Sequence, residues 1–111
     1  MGLIIRLLIS SLAIFITSKI LPAIQIKDLG TAIVVAIVLG LINTFVKPIL
    51  NFFAFPITII TLGLFSLIIN AVVVMLTDYL VEGFSVPNLM WALIFAVVLS
   101  IINTVLIKFV E

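Results

Sequence analysis

Amide and hydroxyl side chains interrupt the long apolar segments of this chain, at Ser10, Asn43, Asn70 and Asn103. An amide donates and accepts hydrogen bonds, so inside a membrane it either bonds a neighbouring helix or lines a wet path. The chain has no Cys and no His, which excludes thiolate metal sites, disulfides and histidine-based catalysis. The residues identify no catalytic group, no metal site and no small-molecule substrate, and we predict a non-enzymatic protein.

The charged and amphipathic residues lie near the ends of the apolar segments. Asp78 and Glu82 are one helical turn apart, a spacing that would suit a weak cation site, but two solvated acids at a membrane edge more often mark a boundary. Lys47, Tyr79 and Trp91 stand where basic and aromatic side chains anchor helices at the membrane interface. We interpret these residues as interface anchors.

Composition indicates that the elements positioning these residues lie in lipid. Hydrophobic residues make up 67% of the 111 residues and charged residues only 8%, whereas soluble domains average about 45–50% and about 25%. A water-soluble fold of this length could not bury so much apolar surface, so membrane lipids are the expected partner. The net charge of +1 contains no basic run, so no nucleic acid is expected to bind.

Four apolar segments, about 3–21, 29–46, 57–80 and 89–110, are each long enough to cross a bilayer as a helix. Helices are required because a lone strand would leave its backbone groups unpaired in lipid. The sequence predicts an all-α membrane protein with four transmembrane helices in a single domain, 1–111.

The connection between the second and third helices differs from the other two, because no charge occurs from Pro48 to Thr77. Proline disrupts a helix by removing a donor and crowding the preceding turn, so Pro56 predicts a break. Residues 48–56 then form a short separate segment, either amphipathic at the interface or re-entrant.

An internal repeat emerges when the chain is shifted by 60 residues, because Asn43-Thr44 falls on Asn103-Thr104 and Ala36 falls on Ala96. We predict two tandem helical hairpins, with repeat halves at about 1–51 and 61–111. Copies that run in the same direction need an even number of crossings each. Basic residues near helix ends are Arg6, Lys47 and Lys108 on one side and Lys19 and Lys27 on the other, which predicts cytoplasmic amino and carboxyl termini.

Helical spacing places the small and polar residues of each helix on one face, so Gly40 joins Asn43 and Ser100 joins Asn103. Small residues at such spacing let helices approach closely. The simplest arrangement turns these faces toward one another, with Ser10, Asn43, Asn70 and Asn103 as interhelical hydrogen-bond partners. A wet path is the alternative, but a four-helix bundle is expected to fill its own centre, so a pore would need several chains.

Several short motifs together resemble phage holin family 4, the mycobacterial four-transmembrane-segment holin superfamily. They are Gly40-Leu41-Ile42-Asn43, Lys47-Pro48, Pro56, Thr61-Leu62-Gly63-Leu64-Phe65, Ile69-Asn70-Ala71, Gly83-Phe84 and Trp91-Ala92. The family usually has Arg at the position of Lys47. The resemblance implies a bacterial plasma-membrane protein without a cofactor, and it brings no catalytic residues.

Two functions are compatible with these observations. The preferred one is a self-associating, homo-oligomeric membrane component. The alternative is an oligomeric holin or small channel that permeabilises the plasma membrane.

Overall fold

The computed structural model describes residues 2–110, and the all-α prediction is confirmed for them. Five helices account for most of the chain: α1 Leu3–Ile20, α2 Leu29–Phe45, α3 Lys47–Ile60, α4 Leu64–Leu80 and α5 Leu89–Val110. Two short strands, β1 Gln25–Ile26 and β2 Phe84–Ser85, lie in the turns after α1 and α4. The bounds of α1, α2 and α5 agree with the predicted apolar segments to within one residue.

Four of the helices form a ring around one axis. The helix α1 packs against α2 and α5, and α4 packs against the same two helices. The fifth helix, α3, lies outside the ring against α2 and α4. Since α1 and α4 both end at the strands and α2 and α5 both begin there, the amino end of α1 and the carboxyl end of α5 share the opposite end of the bundle.

The strands form an antiparallel ribbon that the sequence did not predict. Gln25 pairs with Ser85 and Ile26 pairs with Phe84. Gln25 and Ser85 are 60 positions apart, so equivalent residues of the two halves meet. An antiparallel pair of this kind has a local two-fold axis through the meeting point. The two hairpins are therefore related by an approximate two-fold axis that runs through the ribbon and along the bundle.

Hydrogen bonds recur at the same 60-residue offset. Asp28 caps α2 by accepting from the Thr31 N–H at 2.7 Å, and Asn88 caps α5 by accepting from the Trp91 N–H at 3.0 Å. Side-chain oxygens at such N-caps satisfy donors that the helix leaves free. The two halves thus begin their second helix in the same way.

The predicted break at Pro56 is wrong. The helix α3 begins at Lys47, one residue after α2, and continues through Pro56 to Ile60. The break lies instead at Leu62 and Gly63, where Gly63 N–H donates to Thr58 O at 2.8 Å and both residues have positive φ. Consequently α4 begins at Leu64, and the predicted third segment, 57–80, spans the end of one helix and the whole of the next. The separate segment is a 14-residue helix bent 54° from α2.

The surface of α3 is divided into two faces. Its small and polar residues fall at helical spacing on one stripe, which packs inward at Ala54 and Thr58. The remaining surface is apolar and exposed, including Phe52, Phe53 and Phe55. An amphipathic helix on a soluble protein shows the opposite arrangement, with its apolar face inward. The outer face of α3 therefore suits contact with lipid or with another apolar protein surface.

The packed core occupies the half of the bundle nearest the ribbon. Its most deeply buried side chains come from all four ring helices and include Phe95, Val35, Thr17 and Thr77. The two threonines satisfy their own hydroxyls by donating to Ala13 O at 2.7 Å and to Val73 O at 2.9 Å. Such local bonds allow polar residues to sit in a closed core without a partner on another helix.

Candidate membrane spans can be identified among the described helices from length and hydropathy. The helices α1 and α5 each meet both criteria. The helices α2 and α3 meet them only as a bent pair, and α4 is apolar but has only 17 residues.

Candidate functional site

A cavity of about 290 Å³ lies among the ring helices, in the half of the bundle away from the ribbon. At about 30 Å³ for each water molecule, it could hold roughly ten waters. Its lining comes from all five helices: Ser10, Ile14, Ala36, Leu39, Gly40, Asn43, Lys47, Asn70, Val73, Val74, Ala96, Leu99, Ser100 and Asn103. All six polar and small residues predicted from the sequence to share the inner faces line this one cavity.

The lining follows the approximate two-fold symmetry. Most lining residues form pairs 60 positions apart: Ser10 with Asn70, Ile14 with Val74, Ala36 with Ala96, Leu39 with Leu99, Gly40 with Ser100, and Asn43 with Asn103. A cavity lined by equivalent residues of both halves lies on the axis that relates them. Lys47 has no such counterpart, because position 107 is isoleucine.

The predicted interhelical hydrogen bonds are represented by one contact. Ser10 Oγ donates to Asn103 Oδ1 at 3.4 Å and joins α1 to α5, a distance longer than the usual 2.5–3.0 Å for two oxygens. Within residues 2–110, the side-chain amides of Asn43 and Asn70 contact no other side chain through a hydrogen bond. These amide groups are therefore free to bind water or a ligand in the cavity.

The expectation that the bundle fills its own centre is wrong for this half. Gly40 was expected to allow close helix packing, yet a Cβ built on it would find no neighbouring atom within 4 Å. Its counterpart Ser100 is exposed. The small residues at both positions, together with Ala36 and Ala96, leave space between the helices that larger residues would occupy.

The three predicted interface anchors occupy different environments. Tyr79 is exposed at the end of α4, and Trp91 is half-buried at the start of α5, where it packs against the core. Lys47 is half-buried and lines the cavity. Sequence reasoning placed Lys47 at a helix end but missed its place in the cavity, which depends on the bend between α2 and α3.

A second, lateral groove of about 230 Å³ lies between α4 and α5. It shares Asn70, Ala96 and Ser100 with the cavity, and its other walls are aliphatic: Leu67, Leu93, Val97 and Ile101. The groove therefore lies next to the polar cavity and shares these three residues with it.

Asp28, Asp78 and Glu82, the acidic residues of the described range, lie at the opposite end of the molecule, around the ribbon. Two hydrogen bonds from Thr31, first from its N–H and then from its hydroxyl, hold the pKa of Asp28 below its ordinary value. Asp78 accepts from the Val86 N–H at 3.1 Å, which ties the end of α4 to the following turn. Asp78 thus has a structural contact, and the described residues contain no group of three metal-ligating side chains. Among residues 2–110, the lining of the cavity carries one charge, the Lys47 ammonium group, and no carboxylate.

Comparison with known proteins gives a family and two relatives. A sequence model of the family described as "Mycobacterial 4 TMS phage holin, superfamily IV" matches residues 1–105. The chain is 30% identical over 105 residues to the uncharacterized membrane protein YvlD of Bacillus subtilis, and the matched region covers 94% of this chain and 88% of the relative. It is also 40% identical over 83 residues to the uncharacterized protein SCO3922 of Streptomyces coelicolor, which covers 71% and 66%. No solved structure matches.

Proposed function

Because the chain belongs to the mycobacterial 4 TMS phage holin superfamily IV, we propose that it is a non-enzymatic protein of the bacterial plasma membrane with four transmembrane helices. The sequence-level resemblance to this family is confirmed by the family match. The membrane setting agrees with the apolar helices and with the relative YvlD, whose name describes a membrane protein. In this proposal the spans are α1, α2, α4 and α5.

The lengths of the ring helices support this assignment. At about 1.5 Å per residue, the 17 residues of α2 and of α4 reach about 26 Å and the 22 residues of α5 reach about 33 Å. These lengths bracket the roughly 30 Å of a bilayer core. Both termini lie on the cytoplasmic side in this proposal, because the end of the bundle away from the ribbon carries Arg6, Lys47 and Lys108.

In this proposal a single bundle does not conduct ions or solutes. The supporting observation is that the cavity is closed at the end nearest the ribbon. Between the cavity and the ribbon lies a layer of fully buried side chains, among them Ala32, Val35, Ala92 and Phe95. Solvent would have to displace several packed side chains to cross this layer, which close packing makes costly. The cavity is thus closed on the side that faces the ribbon.

Self-association is the second part of the proposal. The outer face of α3 exposes three phenylalanines in addition to isoleucines, and aromatic residues are enriched at protein interfaces. Assembly through this face would leave the cavity of each bundle accessible. The alternative function is an oligomeric holin or channel. The same face of α3 would support it if several chains packed around a common opening.

Reconstitution into liposomes that contain a self-quenching dye tests the non-conducting proposal. We expect dye retention equal to that of protein-free liposomes, while the mass of the protein in native-like lipid particles gives a dimer or larger assembly. Abrupt dye release that rises with protein density would refute the non-conducting function and support the holin alternative. A monomeric mass would refute self-association.

The absence of cysteine from the chain makes its topology directly testable. Single cysteines at Gln25 and Ser85, both exposed in the ribbon, should react with a membrane-impermeant maleimide added outside intact cells. A cysteine at Gly2 or Phe109 should react only after the membrane is permeabilised. If the cysteines introduced at Gly2 and at Phe109 reacted from opposite sides of the membrane, the four-span arrangement would be refuted.

A further inference from the structure

The cavity and the lateral groove are adjacent and share three lining residues, and we infer that together they hold an anionic glycerophospholipid. The headgroup phosphate lies in the cavity beside Lys47, and one acyl chain follows the groove between α4 and α5. This inference rests on the proposed membrane placement but not on the absence of conduction.

The chemistry of the cavity favours an anionic oxygen ligand. Lys47 supplies a positive charge, the amides of Asn43 and Asn70 supply uncommitted N–H donors, and none of the described residues that line the chamber is a carboxylate. Hydrogen bonds between charged donors and phosphate oxygens are among the strongest that proteins form. A zwitterionic headgroup would fit less well, because its ammonium group would have no carboxylate partner in the lining.

The size and opening of the site favour a lipid rather than a free anion. A chamber of about 290 Å³ is at the small end of ligand pockets, which range from about 300 to about 1,000 Å³, so it accommodates a headgroup but not a whole lipid. The groove begins at residues that also line the cavity and continues between aliphatic side chains such as Leu67, Val97 and Ile101. A free phosphate would make no use of such a groove.

The groove lies between α4 and α5, and the approximate symmetry supplies a control position on α2. Position 97 on α5 corresponds to Ile37 on α2, and the two side chains are similarly exposed, at 41% for Val97 and 44% for Ile37. Val97 lines the groove, whereas Ile37 lines neither the groove nor the cavity. Tryptophan at these two positions adds the same bulk to the outer surface and differs only in filling the groove.

Lipid binding is measured on the full chain in detergent by native mass spectrometry and by titration followed with fluorescence of Trp91. We expect one tightly held phosphatidylglycerol per chain and much weaker binding of phosphatidylcholine. The Lys47→Gln variant should bind phosphatidylglycerol about tenfold more weakly, the scale of one charge-assisted hydrogen bond, while Lys47→Arg should retain binding. Lys108→Gln removes the same charge from an exposed site at this end of the bundle and should leave affinity unchanged.

The groove is tested with Val97→Trp, which should weaken phosphatidylglycerol binding severalfold, and with Ile37→Trp, which should not. Helix content by circular dichroism shows whether each variant remains folded. Equal losses in Lys47→Gln and Lys108→Gln would overturn the cavity site. Inorganic phosphate that binds as tightly as phosphatidylglycerol, or equal behaviour of the two tryptophan variants, would overturn the lipid assignment. Dye leakage from liposomes would refute the proposed non-conducting function and leave these binding results unaffected.

Discussion

The Gly83→Ala substitution tests the packing of the ribbon against α2. Gly83 has φ near +89°, and a Cβ at this position would lie 3.1 Å from Lys27 Cβ and 3.2 Å from Thr31 Cγ2. Both neighbours belong to the other half of the molecule, and Lys27 N–H donates to Gly83 O at 2.9 Å. The added methyl group therefore meets strain in its own backbone and crowding at the contact between the halves.

Gly63 separates these two effects because it has nearly the same φ, +90°, and no atom within 4 Å of a built Cβ. We expect Gly63→Ala to lower the free energy of unfolding by about 1 kcal/mol, the cost of a non-glycine residue in the left-handed region. Gly83→Ala should cost about 2–4 kcal/mol, because crowding a packed site adds about 1–3 kcal/mol. The difference between the two variants measures the contact between the halves.

Unfolding in mixed micelles, followed by fluorescence of the single tryptophan, Trp91, gives both values. A third variant, Gly83→Ala combined with Thr31→Ser, removes the crowded methyl group but keeps the hydroxyl that bonds Asp28, and it should recover part of the loss. Equal destabilisation by Gly63→Ala and Gly83→Ala would refute the close approach of Gly83 to Lys27 and Thr31.

Three further outcomes follow from the same structure. Leu62→Gly should raise stability by about 1 kcal/mol in the same unfolding assay, because Leu62 has φ +57° and is 93% exposed, so strain is relieved without a lost contact. Phe95→Ala should lower stability by about 3–5 kcal/mol, whereas Phe109→Ala, 83% exposed, should change it little. The folded-state pKa of Asp28 is lowered, so its ionised form stabilises the fold. This stabilisation is complete above about pH 4 and is lost as the pH falls through the folded pKa. Unfolding measured against pH should show this loss in the natural chain and not in Asp28→Asn.

Two of the helix starts that the sequence predicted well, those of α2 and α5, are marked by a polar residue at the cap. Asp28 and Asn88 precede the long apolar runs of α2 and α5, and each accepts a hydrogen bond from the first turn. Pro56 was misleading because a proline within a helix removes only one backbone bond, and in lipid the other bonds of the segment favour continuing the helix. The reversal at Leu62 was missed because a leucine occupies the left-handed position where glycine is usual.

The residues of the candidate site were predictable, but the space between them was not. Helical spacing alone placed Asn43 and Asn103 on inward faces, since residues three and four apart share a face. Whether such faces meet or enclose a cavity depends on the distance between helix axes, which the sequence pattern does not contain. Residues as small as Gly40 and Ser100 would allow close helix contact. In the structure, however, no atom lies within 4 Å of a Cβ built on Gly40, and Ser100 is exposed.

The approximate two-fold symmetry explains why the cavity lining consists of paired residues, and the departures from symmetry explain the ligand and the direction that we propose for it. Two identical halves would line the chamber with paired amides, hydroxyls and alanines and would carry no net charge there. The insertion of α3 adds Lys47 on one side only, and Asn70 and Ser100 stand where the other half has Ser10 and Gly40. The groove likewise occurs between α4 and α5. An ancestral hairpin pair could supply the scaffold, whereas binding of an asymmetric ligand, with a charged head and one chain on one side, requires the residues that break the repeat.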